Sequence, residues 1–163
     1  MRKGFTLLEL LVVVLIIGIL AAVAICTSLI LFIPDSDVVS VFTSNGTAVF
    51  TDVKDENARI NFLKQFGWEV NPNSVEEKSV VIPSTFDSVF NGYNELQLKQ
   101  GLDLSRYKRK EVTRYTYEVT NYTGFDGRVF ANIIVYKGRV IGGDLCTESN
   151  DGFIHGFSRE TRL

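Results

Sequence analysis

Cys146 and His155, with Asp144 and Asp151 close by in sequence, are the residues whose types could support covalent chemistry. A histidine within hydrogen-bond reach of a thiol can take its proton and leave a nucleophile, and a carboxylate can orient the ring. The plainer reading makes Cys146 a small buried strand residue and His155 a loop residue, because no nucleophile elbow or local signature surrounds them. A second group is basic: Arg106, Lys108, Arg109, Lys110 and Arg114, interleaved with Tyr107 and Tyr115. Cations with aromatics between them suit phosphates and stacked bases, whereas a solvated loop facing lipid headgroups needs only the charge. Glu9 is the third, a lone carboxylate at the mouth of an apolar run.

The elements that must position these groups divide the chain in two. Residues 10–33 contain no charged side chain. As a helix rising about 1.5 Å per residue, that run is long enough for a hydrocarbon core of about 30 Å. Arg2 and Lys3 precede it and Asp35 and Asp37 follow it, so the basic bias predicts a cytoplasmic N-terminus and an external remainder. A cleavable secretory peptide at Ala22-Val23-Ala24 is disfavoured, since its apolar region spans about 7 to 15 residues and this one continues to Ile33. A carboxylate at the centre of a span costs about 2.5 to 3.5 kcal/mol. Glu9 avoids most of that cost in the first helical turn, where the helix dipole favours an anion.

The order Lys3-Gly4-Phe5-Thr6-Leu7-Leu8-Glu9 closely resembles the class III signal of type IV pilins and pseudopilins. That resemblance implies cutting between Gly4 and Phe5 by a prepilin peptidase, methylation of Phe5, and assembly with other pilin-like subunits in which Glu9 pairs with a neighbour's Phe5 ammonium. The chain departs from the pilin pattern in lacking a proline near Ala24-Ile25-Cys26-Thr27, and Pro34 breaks the helix early.

Beyond Pro34 the chain holds 15 basic and 18 acidic residues, a net charge of −3, so nucleic acid is not the expected partner. One modest domain fits this length. Asn45-Gly46 among β-formers predicts a hairpin within a 34–55 linker. Asp55 is placed to cap a helix through Ile60, Phe62, Leu63 and Phe66, with Gly67 as its left-handed stop. Ser79–Pro83 reads as a short edge strand, after a turn leading from Trp68 to Pro72. A second helix carries Phe86, Val89, Phe90, Tyr93 and Leu96 on one face, capped by Ser84 or Thr85 and ended by Gly101. Alternation predicts strands over Glu111–Tyr122, Arg128–Tyr136 and Arg139–Cys146, with a turn at Lys137-Gly138. Gly142-Gly143 lacks phosphate-loop spacing and marks a bulge or a close backbone approach.

The expected class is α+β: leader 1–4, transmembrane helix 5–33, linker 34–55, and a 56–163 head of two helices on a three- to four-stranded antiparallel sheet. The phrases FLKQFGWEV, VYKGRVIGGDLC and DGFIHGF, within residues 56–158, also resemble a bacterial domain-of-unknown-function family usually found behind a single anchor. No cofactor, metal site or small-molecule ligand is indicated, and the expected partners are the peptidase, pilin-like subunits and the bilayer. The reading is a non-enzymatic minor pilin or pseudopilin-type component. The alternative is an anchored external binding domain that does not assemble, and an enzyme built on Cys146 and His155 comes third.

Overall fold

The structure is a computed structural model that describes residues 42–43, 46–148 and 152–159. The leader, the apolar run and Glu9 lie outside the described residues. Among the described residues no helix is long and apolar enough to cross a membrane.

A small antiparallel hairpin, β1 (Phe42–Thr43) with β2 (Gly46–Thr47), pairs Phe42 with Thr47 and Thr43 with Gly46; Asn45 lies outside the described residues. Helix α1 (Glu56–Gln65) begins where the Asp55 carboxylate accepts from the Ala58 N–H at 2.8 Å, and stops at Gly67, whose φ is +80°. Strand β3 (Val70–Val81) leads to α2 (Ser88–Lys99) and a 3-10 turn (Leu104–Tyr107). The remaining strands are β4 (Glu111–Val119), β5 (Val129–Tyr136), β6 (Arg139–Thr147) and the short β7 (Ile154–His155).

Strands β3 to β7 lie side by side in chain order as one antiparallel sheet, where three or four strands were expected. The additional strand is the short β7, and β3 is also longer than the Ser79–Pro83 edge strand expected. The β3 residues VNPNSVEEKSVV carry a proline and five charged or amide side chains, so they read as a turn followed by a short strand. They are tolerated because β3 is an edge: most of its side chains face water, and a register break between Asn71 and Glu76 takes up Pro72 and its neighbours. The cap of α2 also differs. Asp87, rather than Ser84 or Thr85, accepts from the Phe90 N–H at 2.8 Å. Gly101, φ +73°, closes that helix as expected.

Both faces of the sheet are covered. Tyr117, Val119, Val129, Ala131, Ile133, Val135 and Leu145 pack on one side against Phe62, Leu63 and Phe66 of α1, with Phe50, Trp68 and Phe157. On the other, Val112, Ile134 and Ile141 meet Ile82, Leu104, Phe86, Phe90 and Tyr93. This two-sided burial is why β5 reads VFANIIVY with little polar alternation. An extra residue in β6, opposite the Ile134/Val135 step, places Val140 on the first face and Ile141 on the second.

Candidate functional site

Strand register decides which of the sequence-derived candidates meet. His155 stands opposite Leu145, and Cys146 opposite Ile154. Directly paired residues share a face and successive residues alternate, so the Cys146 thiol and the His155 ring emerge on opposite faces of the sheet. Both ring nitrogens are also engaged: Nε2 lies 2.9 Å from the Tyr122 hydroxyl, and Nδ1 lies 2.6 Å from the Gly156 carbonyl oxygen. The carbonyl can only accept, so Nδ1 carries a proton, and in the neutral ring Nε2 accepts from the Tyr122 hydroxyl.

Asp144 and Cys146, two apart on β6, do share a face, and Asn132 of β5 lies between them. Asn132 Nδ2 donates to Asp144 Oδ1 at 2.9 Å and approaches Cys146 Sγ at 3.3 Å, while its Oδ1 accepts from the Thr116 hydroxyl at 2.7 Å. From α2, the Tyr93 hydroxyl donates to Asp144 Oδ2 at 2.7 Å. Arg114, which the sequence grouped with the basic loop, lies on β4 on this same face, two residues from Thr116. Its Nε is buried with no hydrogen-bond partner among the described residues, and its charge favours the ionised form of Asp144. The basic group therefore loses Arg114, and the Asp144 cluster gains it.

Asp144 is 3% exposed, and burial raises its carboxyl above the ordinary range against the opposing effect of its hydrogen bonds and Arg114. The Tyr93 hydroxyl is pushed well up by burial and by the Asp144 charge. Burial and the same carboxylate push the Cys146 thiol up to about 11, so it stays protonated near neutrality and is a poor nucleophile. This arrangement fastens α2 to the sheet through a buried carboxylate.

A consequence is testable by titration. A folded-state carboxyl value above the unfolded one means the native chain binds the proton more tightly, so stability falls as pH rises from about 4 through the raised value. Asp144→Asn should flatten that decline in a Tm-versus-pH series. Tyr93→Phe, which removes the donor to Asp144, should cost about 1.5 to 3 kcal/mol at neutral pH.

On the opposite face, sequence reasoning missed an aromatic stack. Trp68 and Tyr122 stack at 5.4 Å, Tyr122 and Phe153 at 5.0 Å, and Phe153 and His155 at 5.3 Å. The Arg159 guanidinium lies 4.4 Å from the Trp68 ring centre and donates to the Gly67 carbonyl at 2.6 Å. Trp68, Tyr122, Thr123, His155 and Arg159 line a cavity of about 150 Å³. These residues come from segments some 90 positions apart, so no local spacing could have grouped them.

Two glutamines of the α2 region, also unforeseen, complete the β6 edge. Gln97 Oε1 accepts from the Gly143 N–H at 2.8 Å. The Gln100 amide donates to the Gly143 carbonyl at 3.0 Å and accepts from the Phe157 N–H at 2.7 Å. Gln100 thus stands where the β6–β7 ladder would otherwise continue, so the edge keeps its backbone groups satisfied after β7 ends.

Arg106, Lys108, Arg109 and Lys110 remain exposed in the turn between Leu104 and Glu111. No group of three or more metal-ligating side chains occurs among the described residues.

Residues 62–145, about half of the chain, match the family described as Domain of unknown function (DUF4830). Residues 1–25 match the prokaryotic N-terminal methylation motif. No curated protein and no solved structure matches the chain.

Proposed function

The chain belongs to the family of Domain of unknown function (DUF4830), and from its N-terminal methylation motif we propose that it is a non-enzymatic, prepilin-like membrane protein, a minor pilin or pseudopilin-type component. In this reading residues 1–4 are a leader, 5–33 a single span with its N-terminus in the cytoplasm, 34–55 a linker, and the α+β head stands outside.

The observation that carries it is the order of charges and small residues in RKGFTLLE at the mouth of the uncharged run 10–33. Cutting after Gly4 would free the Phe5 amine, and a free ammonium is what can neutralise Glu9 of an adjacent subunit inside the membrane boundary. The head supports the non-enzymatic part: the Cys146 thiol is held protonated, and the His155 ring has both nitrogens occupied on the other side of the sheet.

Mass spectrometry of the membrane-extracted protein tests the processing. The expected product has lost Met1 to Gly4 and carries a methyl group on Phe5, and an intact leader removes the proposal. Glu9→Ala should leave cleavage unchanged and reduce incorporation into a pilus or pseudopilus at least tenfold. Unchanged incorporation would favour an anchored external binding domain that does not assemble.

A further inference from the structure

The end of the sheet where β3 stops, β4 starts and β5 turns into β6 collects more positive charge than the sequence suggests. Lys108, Arg109 and Lys110 are exposed in the turn before β4, and that turn is pinned to the end of β3. Arg109 N–H donates to the Ile82 carbonyl at 2.8 Å, and the Ile82 N–H donates to the Lys110 carbonyl at 3.0 Å. Tyr107 packs edge-on against Tyr136 at 5.6 Å, which brings the Lys137-Gly138 turn to the same end. Lys137, exposed, lies 5.4 Å from the Tyr136 ring centre, and the Lys54 side chain runs beside Gly138.

Two apolar side chains project from this end with little cover: Val81, 63% exposed, and Val89, 80% exposed. Lys108 sits over the Phe86 ring at 4.7 Å, one turn from Val89. Four carboxylates share this end with six cations, Lys54, Arg106, Lys108, Arg109, Lys110 and Lys137, leaving a balance of +2. Asp87 caps α2, Asp103 lies 3.8 Å from Arg106, Asp52 lies 3.7 Å from Lys54, and Glu111 accepts from the Ser79 hydroxyl at 2.6 Å. Among the described residues the acidic head thus carries a net positive end, with Val81 exposed on the sheet face away from α2 and Val89 exposed on α2.

We propose that this pole is a docking surface for the anionic headgroups of the membrane in which the chain is anchored; the inference rests on the anchored reading above. Exposed cations are drawn to an anionic lipid surface by its charge, and a short apolar side chain beside them adds contact at the headgroup boundary. The tether makes the contact local. Eight residues, 34–41, separate the apolar run from the first described strand, and at about 3.3 to 3.6 Å per residue they reach at most about 30 Å. Tethering at that range corresponds to a millimolar effective concentration, so weak individual contacts suffice. Nucleic acid is disfavoured as the occupant because the aromatics beside the cations, Tyr107, Tyr136 and Phe86, pack on one another or into the core rather than offering open faces.

The test uses the full chain in nanodiscs of phosphatidylcholine alone or with one third phosphatidylglycerol, with lysine acetylation read by mass spectrometry. Labelling of Lys108, Lys110 and Lys137 should fall at least threefold in the anionic discs and recover in 0.5 M salt. In a Lys108→Glu, Lys110→Glu variant, Lys137 should lose that protection. Equal labelling in both discs, with the protein co-eluting with each, overturns the inference and leaves the anchor standing. Failure to co-elute with either disc overturns the anchor and the inference together. Protection by duplex DNA in neutral discs, without protection by anionic lipid, overturns it in favour of nucleic acid.

Discussion

Replacing Phe62 with alanine is expected to cost about 3 to 5 kcal/mol, a large part of the roughly 5 to 15 kcal/mol that holds a domain folded. Phe62 is 1% exposed and contacts three separate segments edge-on: Phe50 at 5.1 Å, Phe66 at 5.4 Å and Phe157 at 5.1 Å. Truncation leaves a void walled by rings that come from the chain before α1, from its end and from the C-terminal segment. Those three walls cannot collapse together without moving α1 off the sheet. Urea unfolding followed by the fluorescence of Trp68, the single tryptophan, gives the measurement. A loss under about 1 kcal/mol would show that Phe62 is not the centre of this core.

The second large effect is expected at Gly143. A Cβ there would run into the Asn132 carbonyl oxygen and the Phe157 ring, and the first of these is backbone of the adjacent strand. Neither can give way cheaply, because Asn132 is held by its pairing with Asp144 and Phe157 is packed against Phe62 and Phe66. Gly143→Ala is therefore expected to destabilise by about 3 kcal/mol, the upper end of overpacking costs, and to disturb the Gln97 and Gln100 bonds at the β6 edge. Gly92→Ala serves as the control: no atom lies within 4 Å of the added methyl on that helical face, and exchanging glycine for alanine inside a helix should stabilise by about 0.5 to 1 kcal/mol. Equal effects at the two glycines would show that the crowding at β6 is relieved by small shifts.

These two sites also separate what could be read locally from what could not. The aspartate cap and glycine stop of α1, the Lys137-Gly138 turn and the alternation of β4 are interactions within a few residues, so residue type and spacing were enough to expect them. Gly142-Gly143 was legible as a close approach, but not what approaches, because Asn132 and Phe157 arrive from other strands. Strand β3 was half missed for the opposite reason. An edge strand has water on its outer rim and needs no apolar pattern, so its polar residues hid it, and its long pairing with β4 is a tertiary fact.

The candidate sites followed the same division. Sequence spacing placed Asp144, Cys146 and His155 near one another, and the β6–β7 register turned His155 to the far side of the sheet, since a one-residue step along a strand reverses the face. Arg114 looked continuous with Arg106 to Lys110, and the pleat of β4 carried it inward to Asp144. Tyr93 became a partner of Asp144 only when α2 crossed the sheet, and Asn132 only when β5 paired with β6. By itself the sequence determined the features that act along the chain: the uncharged run, the N-terminal methylation motif, the cap and stop of α1 and the Lys137-Gly138 turn. Tertiary structure alone decided which side chains share a face and which charges are buried, because both depend on register and on what packs above each strand.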